Sequence, residues 1–246
     1  MVIRTGLARK PWTNYKTSNH IIAYLDILGA KDMICNDNNF DFLNHLNMFM
    51  EDAIEESGGG IFPKEEEIYI KIFSDNILLA IELKENDEQR ENKITILLNT
   101  VANIYNEILR YGYLIRGAIV EGKFFHNDII VYGKSLVEAV QLEENVAKYP
   151  RILVKTEVNT PNNLYYLMKD NDGEVFLNVF HLCNIFDDVA FKINLLELLK
   201  KHKNNEKIKE KIMWMINYFN SWFTKYEYRI MNQQKITEEE IQEAIC

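Results

Sequence analysis

The chain has 246 residues, 47% of them hydrophobic and 12% aromatic, with only 10 Gly and 4 Pro, which excludes a fibrous or disordered chain and leaves one generous domain or two small ones. A formal net charge of −9 excludes a general nucleic-acid binder, which needs a basic surface to displace counterions from phosphates, so no stable nucleic-acid partner is expected. Three cysteines (Cys35, Cys183, Cys246), far apart and without CxxC spacing, suit reduced thiols of a cytoplasmic protein.

Residues 1–19 carry Arg4, Arg9, Lys10 and Lys16 and no acid, which takes the rest of the chain from −9 to −13. This stretch reads as a solvated basic tail without the apolar segment of a signal peptide. His20–Leu28 is almost wholly apolar and β-rich, a strand buried on both faces. A helix over about 38–56 sets Phe42, Leu43, Leu46, Phe49, Met50 and Ile54 along one side, and Ser57 to Gly60 end it. Glu67–Phe73 and Asn76–Leu83 read as strands joined around Ser74-Asp75 in a hairpin. Ile94, Leu97, Leu98, Val101, Ile104 and Ile108 form one buried helical stripe, closed by Gly112.

Tyr113–Val120 and Lys123–Val131 read as a second hairpin-like pair. A helix over about 135–147 and a strand Arg151–Thr156 follow, with Pro150 barring continuation of the helix. Further on, Val175–Phe180 reads as a strand and 187–202 as a helix, while Ile208, Ile212, Met215, Ile216, Phe219 and Phe223 mark a long amphipathic helix. The order β-α-ββ-α-ββ-α-β predicts an α/β (α+β) fold, a mixed sheet with helices packed on it. We expect one domain over 20–246, with its core at 20–156 and a helical C-terminal elaboration at 157–246. No run of roughly 18 apolar residues occurs, so no membrane partner is expected.

Two carboxylates stand out. Asp26 interrupts an apolar strand, and burying it ionised costs several kcal/mol unless a metal ion, an arginine or a set of backbone N–H groups compensates it. Asp75 sits at a hairpin bend, where Asp-Asn is ordinary turn chemistry. A central strand ending in Asp26 and a hairpin tipped by Asp75 would set two carboxylates side by side, and such a pair repels unless a cation lies between them. Hard oxygen ligands point to Mg²⁺ or Mn²⁺. Positive charge for an anionic substrate would come first from Arg116 and Arg151, which pair bidentately with phosphate, and next from Lys71 and Lys123. Salt bridges to the acidic body are the competing role for each. Glu143 falls on the apolar stripe of Leu136, Ala139, Val140, Val146 and Ala147, and pairs either with Arg151 or with a substrate or second subunit. The five histidines lack zinc-site spacing, and no Walker-type glycine loop is present.

Tyr24-Leu-Asp-Ile-Leu-Gly29 resembles the Asp-Ile-x-Gly-Phe segment that opens class III nucleotide cyclase domains, and Phe73-Ser-Asp-Asn-Ile77 resembles their second metal-binding hairpin. Leu114-Ile-Arg-Gly-Ala-Ile-Val-Glu-Gly122 looks like their strand-turn-strand, and Gly133-Lys-Ser-Leu-Val-Glu-Ala-Val-Gln-Leu-Glu143 like the helix that closes the site. Residues 133–153 are most similar to the pyrimidine-nucleotide cyclases of bacterial Pycsar anti-phage defence. Ala30 stands where the family has Phe, and Val137 and Gln141 stand at the transition-state Asn and Arg of adenylate cyclases, which speaks against a standard adenylate mechanism.

The resemblance implies a class III cyclase-like fold and cyclisation of a pyrimidine nucleoside triphosphate, UTP favoured over CTP, to its 3′,5′-cyclic monophosphate and pyrophosphate. It implies two Mg²⁺ or Mn²⁺ ions per site on Asp26, Asp75 and the backbone carbonyl of Ile27. Arg116 and Arg151 become catalytic, with Lys71, Glu138, Gln141 and Glu143 binding substrate. It also implies a homodimer with shared active sites, the closing helix coming from the other subunit, and a separate effector that senses the product. A purine cyclase and an inactive nucleotide-binding module on the same fold remain the alternatives.

Overall fold

The strands assemble around the most apolar of them. In the computed structural model, which describes residues 15–58, 68–85, 88–156, 166–182, 185–225 and 235–246, β1 (Ser18–Ile27) is the central strand. Its pleat sends Ile21, Ala23, Leu25 and Ile27 to one face and Ile22 and Tyr24 to the other, and both sets are buried. The other strands are β2 (Tyr69–Phe73), β3 (Asn76–Glu82), β4 (Ile115–His126), β5 (Val131–Gly133), β6 (Ile152–Lys155), β7 (Leu167–Lys169) and β8 (Val175–Leu177). They form one eight-stranded sheet in the order β2-β3-β1-β4-β6-β8-β7, with β5 paired to β4. Every pairing is antiparallel except β4 with β6. The mixed α/β architecture expected from the element order is therefore the one observed.

The helices are α1 (Ala30–Asn36), α2 (Asp41–Gly58), α3 (Arg90–Arg110), α4 (Lys134–Asn145), α5 (Ile185–Lys201), α6 (Glu206–Lys225) and α7 (Glu238–Ile245). The larger core joins α2, α3, α5, α6 and α7 to the Ile21 face of β1. The smaller joins Ala139 of α4 to Ile22 and Tyr24 on the other face. One stripe of α3 was expected to be buried, yet Thr100, Asn106 and Glu107 are buried as well. A single turn of 3-10 helix (Val179–Leu182) and α5 cover its outer side. Asn106 donates to the Val179 carbonyl at 3.1 Å, and Asn194 of α5 donates to the Leu109 carbonyl at 3.0 Å.

Several boundaries differ from the sequence reading. Residues 113–131 do not form a hairpin around position 121: β4 runs unbroken through it, with Gly122 opposite His20 in the ladder. The glycine serves close packing, since a Cβ there would lie 3.2 Å from the Ser135 Cβ at the start of α4. The expected tail is shorter than 1–19, because Ser18 and Asn19 already pair in β1 and the Tyr15 ring lies 5.1 Å from Phe125. The strand expected at 175–180 stops at Leu177. Residues 1–14, Gly59, Gly60, Glu67 and Cys183 lie outside the described residues, and so do the side chains of Ile54 and Phe223. Among the described residues no helix is long and apolar enough to cross a membrane.

The β7–β8 turn and α6 are tied to β6 by a buried arginine. The Arg151 guanidinium, with no exposed side-chain surface, pairs with Asp170 and Asp172 in the turn between β7 and β8, and Trp214 of α6 donates to Asp170 at 3.0 Å. Removing the arginine would leave Asp170, 14% exposed, in a poor solvent without its cation, while Asp172, 46% exposed, keeps its water. Arg151→Met should lower the unfolding free energy by about 3 kcal/mol, read as a fall in the urea midpoint. An unchanged midpoint would show that Arg151 does not anchor the β7–β8 turn.

Candidate functional site

The pleat that buries Ile22 and Tyr24 on the α4 face puts Asp26 on that face too, at the C-terminal end of β1. Register then decides its neighbours: Asn76 of β3 on one side and Arg116 of β4 on the other. Asp75 occupies the β2–β3 turn, whose first residue, Ser74, takes φ 61°. The Ile27 N–H donates to the Asp75 carbonyl at 3.1 Å, so the turn is fastened directly to the end of β1. The two carboxylates singled out in the sequence thus lie on neighbouring elements at one edge of the sheet.

A chain of hydrogen bonds orients Asp75. Tyr24 Oη donates to Asn76 Oδ1, and Asn76 Nδ2 donates to Asp75 Oδ1 at 3.2 Å. Burial, followed by the nearby charges of Glu143, Asp26 and Asp75, pushes the Tyr24 phenol up to about 12, so it stays a donor at neutral pH. Sequence reasoning assigned Tyr24 and Asn76 no role. The available signal was position: Tyr24 lies two residues before Asp26 on the same face, and Asn76 follows Asp75.

Arg116 is the charge partner that Asp26 required. Its Nε donates to Asp26 Oδ2 at 3.2 Å and lies 2.6 Å from Glu143 Oε1. The expected Glu143–Arg151 pair is not formed, because Arg151 is held by Asp170 and Asp172 on the far side of β6. Burial raises the Asp26 carboxyl above its ordinary range, with Arg116 opposing the shift and Asp75 adding to it. Burial also pushes Glu143 up to about 7; Arg116 opposes this, while Asp26 and Glu144 add to it. Glu143 Oε1 is buried and lacks a hydrogen-bond donor among the described residues.

The remaining sequence candidates lie elsewhere. Arg151 shares the sheet edge but is committed to its two aspartates. Lys71 is exposed on the edge strand β2. Glu138 and Gln141 are exposed on α4, whose sheet-facing residues are Ser135, Ala139 and Glu143. Lys211 of α6, half-buried, was not anticipated, and its charge interacts with those of Arg116, Asp26 and Glu143.

Asp26 and Asp75 are the hard oxygen donors that neighbouring elements bring to this end of the sheet. The charge of Asp75 acts on Asp26 as a like charge, and Glu143 Oε1 is taken up in the ion pair with Arg116. Among the described residues no three His, Cys, Asp or Glu side chains converge into a complete cage. Mg²⁺ commonly needs only one or two carboxylates when phosphates complete its shell.

No protein-family model matches the chain, and no curated protein matches it. Two solved structures of a bacterial light-regulated adenylyl cyclase are similar to it at 14% identity each. One alignment covers 81% of this chain and 59% of the other, with a TM-score of 0.39. The second covers 80% and 58%, with a TM-score of 0.36. The chain therefore spans less than two thirds of the length of either. A likeness at these scores fixes neither chemistry nor substrate, and the functional reading rests on the chain's own residues.

The shifted acid gives a pH prediction. Glu143 faces Arg116 on β4, Asp26 and Tyr24 on β1, and Glu144 on its own helix, with Lys211 of α6 also in range. Its folded pKa of about 7 stands above the ordinary 4.5, so between those values the folded chain keeps a proton that the unfolded chain has lost. This contribution to stability is complete below pH 4.5 and is lost as the pH rises through about 7. In metal-free buffer, the melting temperature of Glu143→Gln should fall less across that window than that of the parent protein. Equal slopes would show that Glu143 titrates normally.

Proposed function

We propose that this chain is a nucleotide cyclase of the class III type, closing a nucleoside triphosphate to its 3′,5′-cyclic monophosphate with release of pyrophosphate. The observation that carries this reading is the placement of Asp26 and Asp75 on β1 and the adjoining hairpin turn, joined by the Ile27–Asp75 hydrogen bond. Asp26, Asp75 and the Ile27 carbonyl would hold two Mg²⁺ or Mn²⁺ ions. When bound, these would lower the pKa of the attacking 3′-hydroxyl and neutralise charge on the triphosphate. The chain's own groups orient the carboxylates: Tyr24 and Asn76 fix Asp75, and Arg116 fixes Asp26.

The finer reading is a pyrimidine cyclase, UTP before CTP, serving anti-phage signalling through a separate effector. It rests on the resemblance over residues 133–153 and on Val137 and Gln141 in place of the adenylate-type pair. The proposed active form is a homodimer in which α4 of one chain closes the site of the other. That assembly gives a use to Glu138 and Gln141, which face away from the Asp26 cluster of their own chain. It would also cover the exposed apolar residues Phe73 at the hairpin, Ile129, Ile130 and Tyr132 around the β4–β5 turn, and Val137 on α4.

Incubating the protein with all four nucleoside triphosphates at equal concentration and Mn²⁺, with mass analysis of the products, tests the reading. One cyclic pyrimidine nucleotide should dominate. A cyclic purine product would overturn the base assignment and leave the cyclase reading standing, whereas no cyclic product from any of the four would favour the inactive module. Asp75→Asn, which a turn position tolerates, and Asp26→Ala should each reduce turnover by at least about 10³-fold while Asp75→Asn keeps the parent's melting temperature. Near-parental turnover in either variant would remove the metal role from that carboxylate.

A further inference from the structure

Two histidines far apart in the chain meet on the α4 face of the sheet, at the end away from Asp26. The pleat sets His20, at the start of β1, on the side of Ile22 and Tyr24, where it is 4% exposed. Its ring meets Phe124 edge-on at 5.3 Å and His126 of β4 edge-on at 5.8 Å. His126 in turn stacks on Tyr69, the first residue of β2, with centroids 3.9 Å apart and planes 28° from parallel. In the sheet β3 and β1 lie between β2 and β4, so this stack bridges two strands that share no ladder.

The bridge bears on an edge strand. The ladder of β2 runs to β3 alone, over Tyr69–Phe73, and the strand ends in the turn that carries Asp75. The Tyr69 hydroxyl is buried and makes no hydrogen bond among the described residues, so ring contact is what holds the start of β2 to this face. The smaller core adds Leu136 and Val140 from α4 and Val131 from β5, all apolar. The charge of Glu82, opposite His20 in the β1–β3 ladder, acts on both imidazoles, and that of Asp128 in the β4–β5 turn acts on Tyr69.

One proton on this pair is answered, and a second is not. The Tyr69 face and Glu82 accommodate a charge on the half-buried His126. His20 Nδ1 donates to the Ser18 carbonyl at 3.2 Å, so a further proton has to enter on Nε2 in a pocket nearly closed to water. Two charged rings 5.8 Å apart would then share Glu82. Burial lowers both imidazoles from the ordinary 6.5; Ser18 and Glu82 oppose the shift at His20, and Glu82 opposes it at His126. We propose that the His20–His126–Tyr69 stack is an acid-released clamp, holding the edge strand β2 while its imidazoles are neutral and letting it go when both are charged. A base whose folded pKa lies below its unfolded value lends stability that is complete above about 6.5 and lost as the pH falls through the folded pKa. The consequence for turnover, a loosened Asp75 turn, rests on the cyclase reading above; the clamp itself does not.

Glu143 titrates in the opposite sense elsewhere on this face, so the test reads β2 locally by hydrogen exchange of residues 69–73 in the metal-free full chain. Between about pH 7.5 and about pH 5, protection corrected for the intrinsic effect of pH should fall about tenfold in the parent. His126→Phe keeps a flat ring on Tyr69 and takes no charge, so its loss should stay below about twofold. Tyr69→Ala should leave β2 poorly protected at both pH values. Equal protection of the parent at the two pH values, or a tenfold loss that persists in His126→Phe, would overturn the inference. Should His126→Phe melt below the parent, the C2 proton shifts of His20 and His126 in the parent decide. Titration of both below the ordinary value, together with release of β2, supports the clamp, and ordinary titration of both overturns it. If the clamp behaves as expected while the parent forms no cyclic nucleotide, the clamp stands and the cyclase reading falls.

Discussion

One carboxylate at the end of a strand buried on both faces constrains the rest of this molecule. Asp26 keeps only 19% of its side chain exposed, and an ionised carboxylate in that setting costs several kcal/mol unless a cation meets it. Arg116 meets it because β4 pairs with β1 in one register. Slipping β1 by a single residue would turn Asp26 toward the larger core, take Leu25 and Ile27 off it, and leave Arg116 on the opposite face. The alternation of Ile21, Ala23, Leu25 and Ile27 against Ile22 and Tyr24 therefore sets the geometry of the charged edge as well as the packing of the core.

The edge is balanced without being fully satisfied. Arg116 is one cation between two acids, and its Nε hydrogen serves Asp26, which leaves Glu143 Oε1 without a donor. Glu143 responds as an acid in a poor solvent does, by holding its proton to higher pH. A divalent cation near Asp26 and Asp75 would work against that tendency, because added positive charge favours the ionised form of every nearby carboxyl. The stability cost of ionising Glu143 in the metal-free chain and the cation binding proposed for the site would thus have the same origin.

What the sequence made legible was local. The apolar run of β1, the Ser74-Asp75 bend and the i, i+3, i+4 pattern of α3 each depend on residues close in the chain, and each is found where it was expected. The two aspartates could be paired because one strand and one hairpin are enough to bring them together. The partners of Arg151 and Glu143 were not legible, since the choice among several arginines and acids is made by strand order. The β7–β8 turn that supplies Asp170 and Asp172 comes from a part of the chain with little periodicity. One local signal also lies in the sequence: Thr237-Glu-Glu-Glu240 is a capping box. Glu240 N donates to Thr237 Oγ1 at 3.2 Å and Thr237 N donates to Glu240 Oε2 at 2.9 Å, opening α7.

Helix α4 shows how far backbone periodicity alone can sort functional residues. Successive side chains turn by roughly 100°, so positions 135, 139 and 143 drift only slowly around the axis and stay against the sheet. Position 141 is then about 200° from both 139 and 143, on the opposite side of the helix. Glu143 can meet Arg116 only by facing its own sheet, and Gln141 is turned outward by the same geometry. No rotamer change bridges that separation, because the body of the helix stands between Gln141 and Asp26. Within one chain Glu143 belongs to the site and Gln141 does not, so any contact of Gln141 or Val137 with a substrate at Asp26 and Asp75 has to be made across to a second copy.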